Sequence, residues 1–186
     1  MPQRGFSLIE LSTTLAVAGI LLGAAIPGFR NFLLDSRRSA VANDLLGAMQ
    51  VARSEALKRG QTVIVCASRD GASCSHRSDD WSRGWLVFVN LIGSISPCDV
   101  ETAGNPQDFV LRYFANEHVE IRIDSNRDCY AFRSFDVHMA AGTITICDPR
   151  AAGDSGQARA VIVSSIGRSR ISSRSGSNDS LSCPSL

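Results

Sequence analysis

Apolar side chains fill the chain from Leu11 to Phe29, broken only by small or hydroxyl-bearing residues and Pro27, and no charge appears until Arg30. Beyond Arg30 the pattern thins to a stripe. Phe29, Phe32, Leu33, Val41, Leu45, Met49, Ala52 and Ala56 recur near helical spacing with polar residues between them. A repeat of this kind predicts an amphipathic helix continuing the apolar one, so that both form a single rod. Lys58 and Arg59 suit a helix C-terminus, and Gly60 comes next as a residue able to cap it. After Gly60 the period changes to short β-prone runs separated by turn residues: Thr62 to Ala67, Trp85 to Val89, Phe109 to Phe114, Val119 to Ile123, Thr143 to Cys147, Ala160 to Ser164 and Ser169 to Ser172. Asn90 to Asp108, rich in Gly, Ser and Pro, reads as a loop. A helix succeeded by strands makes the fold α+β.

The run from Leu11 to Phe29 has about the ~20 residues a helix needs to cross a bilayer. Ser12, Thr13 and Thr14 can return their hydroxyls to the helix's own carbonyls, and Pro27 releases one backbone bond, so the helix is expected to kink or loosen there. Gly19 and Gly23 form a small-xxx-small pair that suits close helix approach, although glycine is common in membrane spans in any case. Arg4 precedes the run, and Arg30, Arg37 and Arg38 come after it, so loop charge does not set an orientation. Glu10 breaks the pattern. A charge inside a bilayer costs at least ~2.5 kcal/mol on insertion scales, so a carboxylate at the head of such a run calls for a cationic partner.

Gly5-Phe6-Ser7-Leu8-Ile9-Glu10 resembles the class III signal of type IV prepilins and type II secretion pseudopilins, and the glutamate and proline of that family's mature helix fall on Glu10 and Pro27. The resemblance implies cleavage after Gly5 by a prepilin peptidase and N-methylation of Phe6. It also implies filament assembly through Glu10 and Pro27, with the new Phe6 amine of a neighbouring subunit as the cation for Glu10. A secretory signal peptide with Arg4 as its basic region is the alternative, but Glu10 would break its core and no small-x-small site ends it. A plain membrane anchor accounts for the length and for neither Gly5 nor Glu10.

Further along, Gln50 to Ala56, Trp81 with Gly84-Trp85-Leu86-Val87-Phe88, and Thr143 to Asp148 resemble segments of GspH/FimT-type minor pilins and pseudopilins. This resemblance implies a pilin-like fold, a long and partly transmembrane N-terminal helix packed on a C-terminal antiparallel sheet. The chain then divides into a leader (1–5), a membrane and filament-core helix (6–29), its amphipathic continuation (30–60) and a periplasmic β-rich head with a basic Ser-rich tail (61–186). Single-pass insertion in a bacterial inner membrane is implied, with other pilins or pseudopilins and the peptidase as partners.

Composition adds two constraints. Of the 19 basic and 18 acidic residues, Arg4 would leave with the leader, so 18 of each sign would remain and any electrostatic site must be local. The six cysteines all lie beyond the apolar run and form no C-x-x-C pair, which disfavours zinc and redox motifs and favours disulfides in an oxidising compartment. We expect Cys66 with Cys74, Cys98 with Cys129 and Cys147 with Cys183, among connectivities that sequence leaves open.

Catalytic patterns are absent from the sequence. His76, His118 and His138 are far apart, with no H-E-x-x-H, P-loop or G-x-S-x-G around them. Asp124 to Asp128 alternates oxygen ligands like a calcium loop, but Cys129 stands where the turn needs Gly and Phe135 where it needs the closing Glu, so a polar turn is expected. Neither an enzyme nor a cofactor is expected. One constellation points to a ligand: Gly167-Arg168-Ser169-Arg170, with Arg174 after it, resembles the G-R-x-R motif of FimT-type minor pilins that take up DNA. Strand alternation would place Arg168 and Arg170 on one face, able to bridge phosphates of double-stranded DNA without reading sequence, while Gly167 lets the backbone approach. A charged edge strand of purely structural value is the alternative.

Overall fold

The computed structural model describes residues 7–75, 77–91, 109–118, 120–134, 141–147, 158–174, 176, 181 and 183, without the side chains of 24, 25, 27, 28, 30, 31, 78 and 79. Two compact units divide the chain, Met1–Ser36 and Arg37–Leu186. Helix α1 spans Leu8–Arg59. Its first bond runs from the Leu11 N–H to the Ser7 carbonyl, and Ser12, Thr13 and Thr14 donate their hydroxyls to the carbonyls of Ile9, Glu10 and Leu11 at 2.8–3.0 Å. These bonds satisfy the polar groups of an apolar segment from within. Leu8, Ile9, Leu11, Leu15, Ile20, Leu21, Leu22, Phe29 and Phe32 are each more than half exposed. Among the described residues, no helix is long and apolar enough to cross a membrane.

In the second unit the helical stripe is buried. Val41, Ala42, Leu45, Ala48, Met49, Ala52 and Ala56 are at most 2% exposed and share one core with the inner faces of the strands. The helix ends at Gly60, whose φ of 67° is open to glycine at little cost and whose N–H returns to the Ala56 carbonyl at 3.0 Å. Glu55 accepts from both Lys58 and Arg59, which holds its carboxyl below the usual range, and Arg59 lies 4.9 Å from the centre of the Phe109 ring.

Among the described residues, eight strands come after the helix: β1 Thr62–Ala67, β2 Gly84–Asn90, β3 Phe109–Ala115, β4 Arg122–Ser125, β5 Cys129–Phe132, β6 Gly142–Cys147, β7 Arg159–Val163 and β8 Ser169–Ser172. They form two four-stranded sheets in the orders β3-β2-β1-β5 and β4-β6-β7-β8, with every pairing antiparallel. Alternation divides each strand between two environments. Val63, Val65, Trp85, Val87, Ile144, Ile146, Val161 and Val163 join the common core. Ile64, Cys66, Leu86, Phe88 and Cys129 gather on the other face of the first sheet, and Cys147, Ala160 and Ile162 on that of the second.

Several expectations need correcting. Phe29 and Phe32 do not belong to the buried stripe, being 61% and 67% exposed, and Leu33 is 39% exposed. A strand expected over Val119 to Ile123 instead runs Arg122–Ser125, because a turn closed by the Ile121 N–H on the His118 carbonyl comes first. The polar turn is therefore shorter than Asp124 to Asp128, and strand β5, which local pattern does not predict, begins at Cys129. Trp81 does not belong to an aromatic strand. It sits fully buried in a 3-10 helix, Ser78–Ser82, edge-on to Tyr130 with ring centres 5.9 Å apart. The expected loop after Asn90 falls largely on residues outside the described set.

Candidate functional site

At the N-terminal end, Gly5 and Phe6 lie outside the described residues, as does the side chain of Pro27. Glu10 occupies the first turn of α1 and is exposed. An acid there suits the positive end of the helix dipole whether or not a neighbour pairs with it.

The basic constellation forms a hairpin between β7 and β8. The Gly167 N–H donates to the Ser164 carbonyl at 2.9 Å, and the Ser164 N–H donates to the Arg168 carbonyl at 2.9 Å. The Ser164 hydroxyl adds bonds with the Arg168 N–H (3.1 Å) and carbonyl (3.2 Å). This is a three-residue hairpin loop whose last residue must be left-handed, and Gly167 has φ 71°. The turn itself thus requires Gly167, which is buried. Ser164, which closes the loop with both backbone and side chain, carried no signal beyond its place at a strand end.

Beyond the turn, Val163 faces Ser169, Ile162 faces Arg170 and Val161 faces Ile171. Ile171 packs toward the common core, so Arg170 is on the outer face beside Ile162. Arg168 and Arg170, two residues apart, share that face and are both exposed. Arg174 is also exposed, with its N–H donated to the Ser172 hydroxyl at 3.0 Å. Among the described residues, none of the three guanidiniums has an ion-pair partner. Among the described residues, β8 is an edge strand of its sheet, as β4 is on the other side.

Disulfides fasten segments over both outer faces. Cys147–Cys183 ties the tail to the end of β6, where Leu181, 4% exposed, covers Ala158, Ala160 and Ile162. Cys66–Cys74 closes the loop after β1. In that loop Asp70 accepts from the N–H groups of Ala72 and Ser73 and from the Ser73 and Ser68 hydroxyls, which hold its carboxyl far below the usual range. Asp80, buried, accepts from Arg69 and Ser75. Cys129 is disulfide-bonded, while Cys98, its expected partner, lies outside the described residues.

No group of three or more metal-ligating side chains occurs among the described residues. Within the calcium-like stretch, Asp124 pairs with Arg122 at 2.9 Å, and the Ser125 hydroxyl bonds the Tyr130 hydroxyl at 3.0 Å. Burial pushes the Tyr130 hydroxyl up to about 12. His118 lies in the turn before β4, and His76 and His138 fall outside the described residues. Arg37 pairs with Glu120 at 2.7 Å.

Residues 41–167 match the family model described as Type II transport protein GspH, and residues 1–26 match the prokaryotic N-terminal methylation motif. The type IV major alpha-pilin of Moraxella bovis is 35% identical over 97 residues, covering 49% of this chain and 60% of that protein. A type IV major fimbrial protein FimA of Dichelobacter nodosus is 38% identical over 104 residues, 56% of each chain. The chain thus spans less than two thirds of the length of these relatives. Among solved structures, the type IV minor pilin FimU of Pseudomonas aeruginosa superposes with a TM-score of 0.51 at 18% identity, covering 75% of this chain and 98% of that one. At that identity the likeness establishes the fold, an N-terminal helix packed on antiparallel sheets. With more than half of its length inside one family model and the methylation motif at its start, the chain belongs to the GspH family of pilin-like proteins.

Proposed function

We propose that this chain is a minor pilin, anchored in a bacterial inner membrane before assembly, matured at Gly5 and Phe6 by a prepilin peptidase, and built into a type IV pilus through α1. The observation that carries this reading is the ring of exposed apolar side chains from Leu8 to Phe32. A surface of that kind marks a membrane or protein contact, and a bilayer and a bundle of like helices meet it in turn. Its role is structural and non-enzymatic. Recovery of the chain in sheared filaments together with other pilins tests this directly.

The head adds a DNA-binding function for uptake in natural transformation. The reading rests on Arg168 and Arg170, exposed on one face of a hairpin that Ser164 and Gly167 close, which would neutralise phosphates together with the exposed Arg174. Binding to duplex DNA should weaken with salt, with a log-log slope of about −0.9 per phosphate contact and little sequence preference. Replacing Arg168 and Arg170 with Gln should flatten that slope by roughly two units without lowering stability, because both side chains are exposed. Mobility shifts of the full chain in non-ionic detergent across a salt series would show it. A double variant that binds like the parent would instead favour the second reading, supported by the edge position of β8: charges that guard a strand edge in a pilus-priming subunit or a type II secretion pseudopilin.

A further inference from the structure

We propose that the outer face of the first sheet is a disulfide-exchange site, in which Cys129, once released from its own bridge, displaces Cys74 and closes a cross-strand bond to Cys66. Cys66 and Cys129 are direct partners in the register of β1 and β5, and Cys66, Cys74 and Cys129 all belong to one buried cluster. Two bridges therefore meet at neighbouring positions of adjacent strands.

The backbone bonds show which kind of partners the two cysteines are. Ala67 faces Trp85, so Ser68 stands opposite Gly84, and its N–H donates to the Gly84 carbonyl at 3.0 Å. Successive residues of a strand direct their backbone groups to opposite sides, so Cys66, two residues earlier, also addresses β2. Ala67 accordingly turns away from β2, and its carbonyl accepts from the Ser75 N–H at 2.8 Å. Toward β5, then, Cys66 and Cys129 form a non-hydrogen-bonded pair. Such pairs bring their Cα atoms to about 4.5 Å, inside the roughly 4.4–6.8 Å range of disulfides. A third bridge fits without moving either strand.

The chemistry balances in two steps. An external dithiol reduces the Cys129 bridge, giving up two electrons as it closes to its own disulfide and leaving Cys129 and its former partner as thiols. The Cys129 thiolate then attacks the Cys66 sulfur. A Cys66–Cys129 bond forms, the Cys66–Cys74 bond breaks, and Cys74 leaves as a thiolate that takes a proton from solvent. The second step is redox-neutral. It staples β1 to β5 and moves the free thiol to the loop, where Asp70 still holds the backbone N–H groups of Ala72 and Ser73.

The test is non-reducing peptide mapping of the full chain in detergent, in two arms. In Cys74→Ser the Cys66 thiol faces the Cys129 bridge. Cys66 should resist alkylation and appear linked to Cys129, with the thiol on the cysteine that Cys129 gives up. Because that variant could fail to fold, the parent is also treated with limiting dithiothreitol, quenched in acid and alkylated. The partly reduced species should carry Cys66 linked to Cys129 and an alkylated Cys74. Alkylated Cys66 in the variant, or an intact Cys66–Cys74 bridge wherever Cys129 is alkylated in the parent, overturns the proposal.

Discussion

Replacing Glu10 with Val is expected to leave membrane insertion intact and to remove the chain from filaments. The substitution makes the apolar run more uniform, so a bilayer accepts it more readily. Inside a filament the balance reverses, because the Phe6 amine of a neighbour would be buried with its proposed partner gone. Removing one member of a buried pair costs about 3 to 5 kcal/mol, so incorporation should fall by roughly 100-fold or more. Quantitative mass spectrometry of sheared filaments against membranes measures the ratio. An unchanged ratio would mean that Glu10 does not set the position of the subunit, and the exposed acid on the first helical turn would then serve the helix dipole alone.

The second large effect concerns the head. Converting Cys147 and Cys183 to Ser releases a closure of 36 residues, for which the chain-entropy relation gives about 4 kcal/mol; the separation of 8 between Cys66 and Cys74 gives about 2.5. Leu181, which the bridge holds over Ala160 and Ile162, is also free to leave. Urea unfolding of the two double-serine variants should rank them in that order. Equal losses would show that Leu181 and the tail stay packed without their covalent tie.

Much of the fold is legible in the sequence because local periodicity dictates it. Val41, Leu45, Met49, Ala52 and Ala56 repeat at helical spacing and are residues that α1 buries, while Thr62–Ala67 and Ser169–Ser172 are strands with the bounds their pattern gives. What local pattern does not contain is partnership. β1 pairs with β5 and β4 with β6, and these long-range pairings divide one expected sheet into two. The bounds of β4 differ from the pattern because Asp124 looks like turn chemistry, whereas its side chain pairs with Arg122 on a strand face. Trp81 looks like a strand aromatic because the sequence does not show that a 3-10 turn can bury an indole against Tyr130.

The candidate site divides in the same way. A period of two is enough to put Arg168 and Arg170 on one face. The reason for Gly167 emerges only from the bonds that close the hairpin, since the motif alone fits a ligand approach equally well. Asp80, beneath Arg69 and Ser75, gives no sequence signal because its partners are brought to it by the loop that Cys66–Cys74 closes. At the N-terminus the reverse holds. Gly5 and Phe6 are read from the motif, and the family match to residues 1–26 rests on sequence.

The central claim is that this chain enters a filament after processing, and the intact mass of the protein recovered from sheared filaments tests it most directly. A subunit matured as proposed begins at Phe6 with one added methyl group and lacks residues 1–5. Filaments that contain the chain with Met1 and Arg4 still attached, or filaments assembled beside it that never contain it, would contradict the account.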